Sequence, residues 1–99
     1  MPHFIRLVKF TEKGLTEPIL FKSRAAEFRE GARKQGITII AEYATLGRYD
    51  LVSILEAPDL KSVMKLSVSQ ALKGRTRVET LTAVPADEFQ SIVEELESP

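Results

Sequence analysis

Ile37-Thr-Ile-Ile-Ala-Glu-Tyr-Ala-Thr-Leu-Gly-Arg-Tyr-Asp-Leu-Val-Ser-Ile-Leu-Glu56 reads as two strands and one short turn. Ile37 to Leu46 and Tyr49 to Glu56 are rich in branched and aromatic residues, the types that suit a pleated, half-buried surface. Gly47 and Arg48 leave only a short reversal between them, so the two strands form an antiparallel hairpin. Leu51 and Leu55 leave the second strand on one side and Val52 and Ile54 on the other, because successive side chains alternate across a strand. Both faces of that strand are therefore apolar.

Working outward, each side of the hairpin carries a helix and then another strand. Upstream, Ala25, Phe28 and Ala32 are spaced as one helical stripe, with Ser23 as the expected N-cap and Gly36 as the stop after Gln35. Before it, His3 to Phe10 alternates with period two, with Ile5 and Leu7 on one face and Phe4, Val8 and Phe10 on the other. Thr11 to Gly14 is expected as a turn, with Gly14 supplying dihedral freedom. Downstream, Pro58 and Asp59 open a second helix through Leu60, Val63, Met64, Ser67 and Ala71 that ends at Gly74. Arg75 to Val84 alternates as a fourth strand. Pro85 then starts a last helix with Phe89, Ile92, Val93 and Leu96 at amphipathic spacing.

The order is βαββαβ plus a C-terminal helix, which predicts an α+β, ferredoxin-like fold with a four-stranded antiparallel sheet. Residues 1–84 form that domain and residues 85–99 the appended helix. Right-handed crossovers place the two internal helices on one face, with strands one and three at the centre. An antiparallel sheet with one wet face shows polar residues at alternate central positions, and these strands do not. Burial of each such side chain is worth about 1.5 to 3 kcal/mol, so the second face predicts a homodimer or larger homo-oligomer with two sheets packed together.

The stretch from Tyr43 to Asp59 resembles the motif of the GYD domain family, in which Gly, a variable residue, Tyr and Asp link strands two and three, here Gly47, Tyr49 and Asp50. The opening Ile5 to Leu15 and the strand Val78 to Val84 are also similar to that family. The resemblance implies a dimeric α/β barrel. It implies no catalytic residues, because relatives in the wider superfamily range from cofactor-free monooxygenases and isomerases to haem proteins, and fold does not imply chemistry.

Composition narrows the function classes. The 99 residues, 43% hydrophobic, make one domain. Basic and acidic residues both number 14, so net charge favours neither a nucleic-acid partner nor a membrane surface. Residues 85–99 carry five acids and no base. With no cysteine, disulfides and thiolate zinc sites are excluded and a cytoplasmic setting is expected. One histidine beside scattered carboxylates predicts no metal site, and a haem would need that same His3, so no cofactor is expected. Lys22, Arg24, Arg29, Arg33 and Lys34 interleave with Glu27 and Glu30 as a solvated helix face.

Candidate ligand-binding residues are Tyr43 and Tyr49, whose phenols pair an apolar body with a polar tip. Asp50 joins them, as does His3, the one imidazole able to act as a base near neutrality. Gly47 is read as a structural turn residue and Asp50 as an acceptor for backbone N–H groups around it. The favoured reading is a homo-oligomeric small-molecule-binding or structural module, accepting a small apolar or aromatic ligand if any. One alternative is a cofactor-independent monooxygenase or isomerase on a small aromatic substrate. The other is an effector-sensing module like those of leucine-responsive regulators.

Overall fold

The computed structural model describes residues 1–16 and 20–97. Its elements run β1 (His3–Phe10), α1 (Glu12–Leu15), α2 (Phe21–Lys34), β2 (Thr38–Ala44), β3 (Leu51–Glu56), α3 (Leu60–Ala71), β4 (Thr76–Ala83) and α4 (Ala86–Glu97). The four strands form one antiparallel sheet in the order β2-β3-β1-β4. This is the ferredoxin-like arrangement, with β1 and β3, the strands expected at the centre, in the middle of the sheet.

Register divides the residues between two faces. Phe4 stands opposite Leu55, Arg6 opposite Ser53 and Val8 opposite Leu51, and these side chains turn toward the helices. Phe4 and Leu55 meet Ala32 of α2 and Val63 and Leu66 of α3 in a buried core that also takes in Ile37 and Ala57. Ile5 and Leu7 stand opposite Ile54 and Val52. These four point to the other face, half-buried by their sheet neighbours and covered by no element among the described residues.

β2 carries an irregularity of large effect. Ile39 pairs with Leu55 and Ala41 with Ile54, so Ile40 is an extra residue and the alternation of β2 is reset there. As a result Glu42 pairs with Ser53 on the helix face, and Tyr43 pairs with Val52 on the uncovered one.

Three expectations need correction. Thr11–Gly14 is not an open turn: Glu12–Leu15 is a short helix whose N-cap is Thr11, with its Oγ1 accepting from the Gly14 N–H. Gly14 contributes closeness rather than dihedral freedom, since a Cβ there would lie 2.2 Å from the Arg75 carbonyl oxygen. Nor is Ser23 an N-cap. α2 begins two residues earlier, and the Ser23 hydroxyl donates back to the Leu20 carbonyl at 2.9 Å, the pattern of a serine already inside a helix. At the start of α3, in contrast, the Asp59 carboxylate accepts from the Ser62 N–H at 2.8 Å as a side-chain cap.

Every described residue of α4 is exposed, including Phe89, Ile92, Val93 and Leu96 of its apolar stripe. No helix among the described residues is long and apolar enough to cross a membrane.

Candidate binding cavity

Between the sheet and α2 lies a cavity of about 380 Å³, a size at which small organic ligands are bound. Its apolar wall comes from Val8 and Phe10 of β1, Leu51 of β3, and Phe21 and Phe28 of α2. Phe10 and Phe21 meet edge to face with centroids 6.2 Å apart, a favoured aromatic geometry.

The charged groups bordering this cavity among the described residues are four cations, Arg6, Arg24, Lys73 and Arg75, and one carboxylate, Glu42, beside the neutral polar Ser53, Gln70 and Thr76. Arg6 is 4% exposed because it sits mid-strand on the face that α2 covers. Its guanidinium carbon lies 4.4 Å from the centroid of the Phe28 ring, a cation–π contact. Its Nε has no hydrogen-bond partner among the described residues. Burial pushes the Arg6 pKa down to about 10, with Glu42 opposing that shift. The guanidinium is therefore charged at neutral pH.

Arg24 departs from the solvated face expected of α2. Its Nη1 donates to the Gly14 carbonyl at 3.1 Å, and its Nε is buried without a partner among the described residues. Lys73 and Arg75 are engaged by Glu27, through a direct Lys73 Nζ contact and a 3.9 Å contact to Arg75. Glu42 Oε1 lies 3.5 Å from Arg29 Nε.

None of the four residues singled out in the sequence borders this cavity. Tyr43 is 59% exposed on the uncovered sheet face. The Tyr49 phenol spans β1 to donate to Glu79 Oε2 at 2.5 Å, a bond that raises its pKa by favouring the protonated phenol. His3 Nε2 is 3.3 Å from Glu56 Oε1 at the end of the sheet. Tyr43, Tyr49 and His3 thus decorate the uncovered face and its margins without meeting in a pocket.

Asp50 ties strands together. Its Oδ2 accepts from the Phe10 N–H at 2.8 Å and its own N–H donates to the Val8 carbonyl at 2.8 Å, so the β3–β1 ladder continues one residue beyond Leu51. Tyr49 and Asp50 also close the hairpin, the Thr45 hydroxyl donating to the Tyr49 carbonyl at 2.6 Å and the Thr45 N–H to the Asp50 carbonyl at 2.9 Å. Gly47 adopts φ +103°, a conformation that favours glycine. Among the described residues no group of three or more histidine, aspartate or glutamate side chains comes together to hold a metal.

Sequence reasoning passed over Arg6, Arg24 and Glu42. A signal existed for Arg6, as a charge between Phe4 and Val8 on an otherwise apolar strand face. Glu42 had none, because its side depends on the bulge at Ile40.

The GYD domain family model matches residues 4–93, a span that runs past β4 into α4. A Thermus thermophilus protein described as a glutamine synthetase and cystathionine beta-lyase binding protein is 35% identical over 86 residues, covering 86% of this chain and 90% of its own. The crystal structure of an FFRP protein aligns with a TM-score of 0.57 at 16% identity, over 85% of this chain and 100% of that one. A crystal structure from Thermus thermophilus aligns with a TM-score of 0.54 at 20% identity, over 86% and 95% respectively. At those identities the two structures speak for the fold alone.

Proposed function

The chain belongs to the GYD domain family, and on that premise we propose that it is a cytosolic, homo-oligomeric binding module that takes a small molecule into its interior and acts on other proteins by docking. The observation that carries this reading is the cavity between β1, β3 and α2: it has the volume and apolar lining of a ligand site, and its charged groups among the described residues are four cations and one carboxylate. Acid–base work on a substrate needs a base within reach of the reacting proton. The side chains suggested for an enzyme, His3, Tyr43, Tyr49 and Asp50, stand away from the space a ring would occupy. Binding explains the cavity with fewer assumptions than turnover does.

Two further observations support the assembly. Ile5, Leu7, Val52 and Ile54 form the centre of an uncovered apolar face, and leaving them in water forgoes about 1.5 to 3 kcal/mol apiece. A second copy presents the same face and covers it in one isologous step. Docking on an enzyme is the finer part of the proposal, and it takes its lead from the Thermus thermophilus relative described as a binding protein for two enzymes.

Sedimentation equilibrium of the full chain and of Leu7→Glu, with thermal shift against small aromatic acids, amides and alcohols, tests both parts. The wild type is expected as a dimer or larger and Leu7→Glu as a protomer. At 100 times its Kd a ligand adds about 2.7 kcal/mol of stability. A wild-type protomer at micromolar concentration overturns the assembly. A flat melting temperature across all three ligand classes overturns the binding role.

A further inference from the structure

We propose that the cavity is specific for small organic carboxylates, with the anion held against the Arg6 guanidinium and the hydrocarbon body packed among Val8, Phe10, Phe28 and Leu51. This rests on the reading of the cavity as a ligand site and adds the charge and chemical class of the ligand.

Two buried guanidinium nitrogens, Arg6 Nε and Arg24 Nε, lack hydrogen-bond partners among the described residues, and both arginines border the same cavity. Buried polar atoms are almost always satisfied, and an exception calls for a specific explanation. For Arg6 the exception extends to the whole charge. Its side chain is among the least exposed of the described residues, and among those residues no carboxylate lies within ion-pair distance of it. A water molecule in the cavity satisfies a nitrogen but leaves the buried cation offset only in part, by the more distant Glu42 carboxylate. A methionine or leucine on this strand face would pack on Phe28 without that cost, so packing alone does not account for an arginine here.

The ligand class follows from the fork and from its surroundings. A planar guanidinium matches a carboxylate with two parallel N–H···O bonds, and Phe28 holds that plane in place. The other charges set the valence. Lys73 and Arg75 already answer to Glu27. Glu42 contributes a negative charge to the cavity wall and disfavours a second anionic group close by. A monoanion with an apolar body fits this balance better than a phosphate ester. The aromatic wall of Phe10, Phe21 and Phe28 suits a ring or a branched aliphatic chain.

The test uses three ligands on one ring, phenylacetate, phenylacetamide and 2-phenylethanol, titrated calorimetrically into the full-length wild type and Arg6→Met at constant ionic strength. Phenylacetate is expected to bind at least about tenfold tighter than the amide or the alcohol. Arg6→Met is expected to lose that preference and to bind the three ligands within a few-fold of one another. The Nε–Hε resonance of Arg6 in the wild type is expected to shift with phenylacetate, a readout that requires no variant to fold. Equal binding of all three ligands overturns the carboxylate assignment and leaves the binding cavity standing. Failure of all three overturns both. A carboxylate preference that survives in Arg6→Met, with the Arg6 resonance unmoved, places the anion elsewhere and overturns the role of Arg6.

Discussion

The Arg6 guanidinium carbon and the Phe28 ring centroid are 4.4 Å apart, which makes an arginine from the central strand and a phenylalanine from α2 one stacked unit inside the protein. The stack recovers part of what burial of the charge costs, about 0.5 to 2 kcal/mol. The rest remains as a deficit in the folded state.

That deficit predicts an inverted ranking of substitutions. Arg6→Met removes the buried charge and is expected to stabilise the ligand-free protein by about 1 to 3 kcal/mol, whereas Arg6→Lys keeps the charge, loses the stacked plane and is expected to destabilise it by about 1 to 2 kcal/mol. Because the folded-state pKa, about 10, lies below the ordinary arginine value, the unfolded chain holds this proton more tightly. The penalty is therefore complete below pH 10 and eases only as pH rises through it, so the Arg6→Met gain is flat between about pH 5 and 9. Urea unfolding across that range checks both statements. A Met variant less stable than the Lys variant contradicts them.

Asp50 holds the Phe10 N–H at 2.8 Å where β3 has no further residue to pair. Asp50→Ala is expected to cost about 1.5 to 3 kcal/mol, the range for a hydrogen bond to a charged acceptor, and Asp50→Asn distinctly less. Amide exchange at Phe10 should accelerate in Asp50→Ala while exchange at Phe4 follows global stability alone. Unchanged exchange at Phe10 would show that the contact does not persist in solution.

Gly14 and Gly47 are expected to resist replacement for different reasons. At Gly14 a Cβ meets the Arg75 carbonyl oxygen at 2.2 Å, a backbone atom that cannot rotate away, so Gly14→Ala displaces α1 from the start of β4 at a cost of about 1 to 3 kcal/mol. At Gly47 a Cβ meets nothing within 4 Å, but φ is +103°, so Gly47→Ala costs about 1 to 2 kcal/mol through backbone strain alone. Nuclear magnetic resonance distinguishes the two: shifts should spread to Arg75 and Thr76 in the first variant and stay within the hairpin in the second.

The Tyr49 phenol donates to Glu79 across β1, and this bond, ahead of desolvation and the Glu79 charge, holds its pKa above the usual phenol range. In a Tyr43→Phe background, where Tyr49 is the only tyrosine left, Glu79→Gln is expected to move the ionisation seen by ultraviolet absorbance to lower pH. The sign follows from removing a group that favours the neutral phenol. An unmoved titration would place Tyr49 away from Glu79.

Apart from the short α1, which was expected as a turn, element order and the two-faced character of the central strands were legible from period-two and period-3.6 patterns, because hydrophobic periodicity survives without any knowledge of neighbours. Cap positions were less legible. Asp59, expected only to open its helix together with Pro58, is the N-cap of α3, whereas Ser23, expected as a cap, lies inside α2 because that helix starts two residues earlier.

By itself the sequence determined the succession of the four strands and three longer helices, the family, and the presence of more apolar sheet surface than two helices cover. Only the tertiary structure decided which side chains share a space. A strand alternates with a period of two, so one extra residue exchanges its faces: the bulge at Ile40 turns Glu42 toward the cavity and Tyr43 away from it. That bulge is defined by pairing with β3, and the burial of Arg6 by α2 lying across its face. Both depend on residues distant in the chain, which local spacing does not encode.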